Sequence, residues 1–140
     1  MPYATLSDLI VAIGEPELIL LTDRINDPPS AVDAAVVAKA LDAANAMVDS
    51  YIMGSGRYEL PLPSVPDMLR DTACDIALYK LHGVAMPEVI ALKYRDALSY
   101  LRDVQAGRAL LQGVAQGKPE TAGLVYFTPG ERVFTRGSRV

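Results

Sequence analysis

Cys74 and His82 are the one cysteine and the one histidine of the chain. A thiol beside an imidazole is the smallest set that could do nucleophilic chemistry. Their spacing argues against it. On one predicted helix, positions 74 and 82 project roughly 80° apart, so the two side chains do not face each other. A lone cysteine makes no internal disulfide and no cysteine-based zinc site. Cys74 reads as a small core residue, and His82 as a helix-end residue whose charge suits the local dipole.

Asp67, Asp71 and Asp75 recur every fourth residue on the same predicted helix. Paired carboxylates can exchange protons, but a single helical row without a facing set reads as a solvated face. Asp75 stands apart because it borders the apolar stripe at Ile76. It, or another acid of the third or fourth helix, is expected to accept a charge-assisted hydrogen bond from Arg57. Gly54-Ser55-Gly56 fails as a phosphate loop: it follows a helix, no Gly-Lys-Ser/Thr is present, and no βαβ unit surrounds it. Asp23, Asn26 and Asp27 fail as a calcium loop, because the ligand spacing and closing Glu are missing and Pro28-Pro29 interrupts the pattern. They are expected to bond their own backbone in a turn. No catalytic residue, metal ligand or cofactor is expected, and no nucleophile–base pair marks an enzyme.

Capped apolar stripes predict the elements that would position these residues. Five helices are expected near 5–13, 15–22, 30–53, 65–82 and 87–107, as an all-α five-helix bundle with a long central helix pair. Thr5 with Asp8 caps the first helix. Pro16 opens the second, and Ser30 is expected to cap the third. Val37, Leu41, Ala44, Val48, Tyr51 and Ile52 form the stripe of the third. Leu69, Thr72, Ala73, Ile76 and Lys80 run along the fourth, with Met68, Leu78 and Leu81 beside them. Ile90, Tyr94, Ala97, Leu98, Leu101 and Val104 recur on the fifth.

A Gly- and Pro-rich corner connects the third and fourth helices. Gly54 and Gly56 are expected to end the third helix, and Pro61, Pro63 and Pro66 to hold the chain out of helix until the fourth begins. Arg57, Tyr58 and Leu60 lie between these breakers, and Arg57 and Tyr58 are expected to pin the corner onto the helices. The bundle is expected over 1–111, a linker over 112–123 and a C-terminal arm over 124–140. In the arm, β-prone runs at Leu124–Phe127 and Arg132–Thr135 flank Pro129-Gly130, the signature of a small hairpin or extended strand. An isolated hairpin is marginal in water. The arm is therefore expected to dock on a partner through Tyr126, Phe127, Arg132, Val133, Phe134, Arg136 and Arg139.

The net charge of −4 is uneven. Residues 1–50 carry two bases against eight acids, and residues 101–140 carry six bases against three acids. The gradient argues against a general nucleic-acid binder and suits a protein whose ends meet different partners or each other. The arm's arginines fit an acidic protein groove better than a nucleic acid. No run reaches the roughly 18 apolar residues of a membrane span. Met1-Pro2-Tyr3-Ala4 lacks the basic start of a signal peptide, so a cytosolic product is expected.

In order and spacing, several pieces resemble the Mu-type bacteriophage head-to-tail connector (neck or adaptor) family. They are Tyr3-Ala4-Thr5 with Asp8-Leu9-Ile10, Leu21-Thr22-Asp23-Arg24, and Asp49-Ser50-Tyr51-Ile52 with Gly56-Arg57-Tyr58 and Leu60-Pro61-Leu62. Cys74-Asp75-Ile76-Ala77, Tyr94-Arg95-Asp96-Ala97-Leu98 and Glu131-Arg132-Val133-Phe134 complete the set. One departure is Ile25-Asn26-Asp27-Pro28-Pro29, where relatives often carry a calcium-like stretch. The resemblance implies a non-enzymatic virion protein in the neck of a tailed phage or prophage. It implies a homo-oligomeric ring, commonly of twelve copies, between the portal protein and an adjacent neck or tail-completion protein, with a C-terminal extension gripping the portal. The competing reading is a small helical DNA-packaging or regulatory module.

Overall fold

The computed structural model describes residues 2–117. Its elements follow the expected order: α1 (Leu6–Ile13), α2 (Glu15–Thr22), α3 (Ala34–Ser55), α4 (Asp67–His82) and α5 (Glu88–Ala106). Among the described residues no strand occurs, and the all-α expectation holds there. The arm over 124–140, expected as a hairpin or extended strand, lies outside the described residues.

The helix starts show how local chemistry sets boundaries. At α1, the Thr5 hydroxyl accepts from the Asp8 N–H at 3.4 Å, and the Asp8 carboxylate accepts from the Thr5 N–H at 2.8 Å. This reciprocal box satisfies two donors that the helix itself leaves orphaned. Gly14, at φ 86°, turns the chain from α1 into α2.

Ser30 does not cap α3. Asp33 does, accepting from the N–H groups of Ala35 at 3.0 Å and Val36 at 3.3 Å. The Thr22 hydroxyl holds the Asp33 N–H at 3.1 Å, which keeps the chain extended as far as Asp33. The far end of α3 differs from expectation as well. Gly54 lies inside the helix, and only Gly56 ends it, in the left-handed region at φ 66°. Pro66 and Pro87 are caps with extended backbone, so α4 and α5 each begin one residue later.

The core is built on α4, which touches each of the other four helices. It buries Leu69, Thr72, Ala73, Cys74, Ile76, Ala77, Leu78 and Leu81. These residues reach round much of the helix, so a one-sided stripe was too narrow an expectation. Lys80 and Met68, expected on or beside that stripe, are exposed. Small side chains at 73, 74 and 77 let α3 and α5 approach closely. Val37, Leu41, Ala44, Val48 and Ile52 of α3 and Ala97, Leu101 and Val104 of α5 supply the facing surfaces. Tyr79 and Tyr94 stack between α4 and α5 with centroids 3.8 Å apart.

Candidate functional site

The Pro/Gly corner lies where the C-terminal ends of α3 and α5 meet. Gln105 of α5 packs against Gly54 of α3, and the guanidinium of Arg57 lies against Gly107, which ends α5 at φ 79°. A side chain at position 107 would collide with that guanidinium. The carbonyl end of α5 is the negative pole of its dipole and favours a cation there. Even so, among the described residues the Nη1 of Arg57 is buried without a hydrogen-bond partner.

The expected pairing of Arg57 with Asp75 is not made. Arg57 belongs to the end of the bundle, whereas Asp75 lies halfway along α4. There it lines a groove of about 540 Å³ with Asp8, Arg70, Asp71, Cys74 and Lys93. Burial pushes the Asp75 carboxyl up, Asp71 and Asp96 add to the shift, and Lys93 opposes it. Beside it, Cys74 is buried and its thiol is pushed up to about 12, by burial first and then by Asp8, Asp71 and Asp75. At neutral pH it stays protonated and behaves as core, as its spacing suggested.

Tyr58 pins the corner as expected, but onto a segment the sequence did not point to. Its ring is buried, and its hydroxyl accepts from the Leu111 N–H at 3.0 Å. Leu111 is itself buried, Val114 packs against the core, and the Gly117 N–H donates to the Arg57 carbonyl at 2.8 Å. Residues 107–117 thus return across the corner, including the described part of the expected linker. Leu60 packs partly and Leu62 fully into the core, while Pro61, joined to Leu60 by a cis peptide, stays exposed. The expected arm residues Tyr126, Phe127, Arg132, Val133, Phe134, Arg136 and Arg139 lie outside the described residues.

At the other end of α3, the Asp23 turn does what the spacing suggested, and more. Its carboxylate accepts from the N–H groups of Ile25, Asn26, Ser30 and Ala31 and from the Asn26 amide. The Ser30 and Asn26 bonds contribute most to holding its carboxyl well below the usual carboxylate range. Among the described residues no group of three or more His, Cys, Asp or Glu side chains is placed to hold a metal.

Sequence reading missed a second groove. Arg24, Lys39 and Lys80 converge from three separate elements over a floor that includes Ala40, Ala43 and Leu81. Only the placement of Lys80 along the fourth-helix stripe hinted at this.

No helix among the described residues is long and apolar enough to cross a membrane. Comparison with known proteins places the fold and the corner in context. The family model described as "Bacteriophage Mu, Gp36" matches residues 3–127. Gene product J of Escherichia phage Mu is 32% identical over 138 residues, covering 97% of this chain and 96% of that protein. The Mu-like prophage FluMu protein gp36 of Haemophilus influenzae is 37% identical over 76 residues, covering 54% of this chain and 52% of that protein. A match that extends over the capped N-terminus, the helical core and the corner shows that the chain belongs to the bacteriophage Mu Gp36 family.

Proposed function

We propose that the chain is a non-enzymatic structural protein of the virion neck, an adaptor that assembles as a ring between portal and tail. The observation that carries this reading is the near-full-length match to Mu-type phage proteins.

In this reading the corner fixes where the chain departs for the arm. Tyr58 and the Arg57 carbonyl hold residues 111–117, and the arm follows from there. Its apolar and basic side chains, with Phe134 as anchor, dock on the portal protein. Deleting residues 124–140 tests this. The truncated protein should unfold at nearly the temperature of the full chain and should fail to attach to portal-bearing heads. A truncated protein that still joins heads to tails would remove the arm from the mechanism.

A further inference from the structure

The cationic groove is unusual in a chain with 17 acids and 13 bases. Arg24 from the connection after α2, Lys39 from α3 and Lys80 from α4 line a space of about 430 Å³, and among the described residues no carboxylate lines it with them. None of the three forms an ion pair among the described residues; the ion pairs there are Arg70–Asp67 and Arg108–Asp103. Three like charges held together are mutually repulsive, and an anion seated among them relieves this. The floor is apolar, made by Ala40, Ala43 and Leu81. A free phosphate has no use for such a floor. Duplex DNA needs a long basic track, and the first fifty residues carry a net −6.

We propose that this groove seats the Glu17–Leu20 ridge of α2 from a neighbouring copy of the chain. Glu17 is exposed and Leu20 is 63% exposed. They lie one helical turn apart, so a carboxylate and an isobutyl group leave the same face of α2. That pair matches cations above an apolar floor. Groove and ridge are different surfaces, so the contact can repeat head-to-tail, the kind that closes into a ring when the rotation permits. The inference deepens the ring reading proposed above and rests on it.

Zero-length carbodiimide coupling of the full chain, mixed from ¹⁴N- and ¹⁵N-labelled halves, reads this contact. Amide cross-links between copies should join Lys39 or Lys80 to Glu17. The double variant Lys39→Glu/Lys80→Glu should lower the yield between copies on the order of tenfold, because two exposed attractions become repulsions. Mixing that variant with Glu17→Lys should restore it, with the original residues linked in one direction of contact and the charges exchanged in the other. Glu17→Lys alone supplies the same loss if the double variant does not fold. Cross-links that are absent, that run from these lysines only to other carboxylates, or that are not restored by the exchange would overturn the proposal. The native mass of the assembly reports the ring separately, so a ring formed without these links defeats the groove alone.

Discussion

Between Thr22 and Ala34 the chain folds around one carboxylate, and among the described residues every hydrogen-bond partner of the Asp23 carboxylate lies within the next eight residues. Between Ser55 and Asp67 there is no such centre. There the chain is held by side chains and backbone from beyond α5: Gly107 under Arg57, the Leu111 N–H on Tyr58, and the Gly117 N–H on the Arg57 carbonyl. The two connections are of equal length and join helices of the same core, yet one is organised locally and the other from some fifty residues away. A locally organised turn forms as its own segment forms. The corner can be complete only once α5 has docked, because loop closure comes before the contacts that reward it.

Substitutions can separate these two kinds of support. The largest effect belongs to what they share. Ile76 is fully buried in α4, and Ile76→Ala should cost ~2–5 kcal/mol in global stability. Chemical denaturation should show a change of midpoint; a loss under about 0.5 kcal/mol, the usual range for a surface site, would place Ile76 outside the core.

Gly107→Ala comes next. It forces a left-handed backbone on a residue with a side chain and pushes the Arg57 guanidinium aside. About 2–3 kcal/mol is expected from strain and overpacking together. Hydrogen exchange should rise at residues 107–117 and leave 23–33 unchanged. Equal loosening at both connections would mean that the corner is not separately held.

Tyr58→Phe removes one acceptor and little volume but leaves the buried Leu111 N–H unpaired, so roughly 1–2 kcal/mol is expected. The Leu111 amide should lose protection while the Asn26 and Ser30 amides keep theirs. Unchanged protection at Leu111 would remove the hydroxyl as the corner's link.

On the local side, Thr22→Val leaves the partly buried Asp33 N–H without its acceptor and should cost about 1 kcal/mol, read by thermal unfolding. The charge at Asp23 gives this connection a pH signature. Because its folded carboxyl titrates below the ordinary value, its contribution is complete at neutral pH. It is lost as pH falls from about 4 toward the folded value. The stability advantage of wild type over Asp23→Asn should therefore shrink on acidification through that range. An advantage that stayed constant would show that the carboxylate's charge plays no part.

The same contrast decides what was legible in the sequence. The capping box at Thr5 and Asp8, the Asp23 turn and the stripe of α3 depend on neighbours a few residues away, and spacing alone exposed them. Ser30 was misread as a cap because the bond that counts, Thr22 to the Asp33 N–H, spans the connection. Arg57 was assigned to Asp75 because opposite charges suggest pairing, and nothing in the spacing places Arg57 at Gly107. The groove of Arg24, Lys39 and Lys80 was hidden for the same reason: its three cations come together only when α3 and α4 pack side by side.

The claim that these features serve an assembly is tested most directly by native mass spectrometry of the full chain, alone and with the portal protein of the same phage. The account predicts a closed multimer of this chain on the portal ring, lost when residues 124–140 are removed. A chain that stays monomeric and unbound in the presence of portal would contradict it.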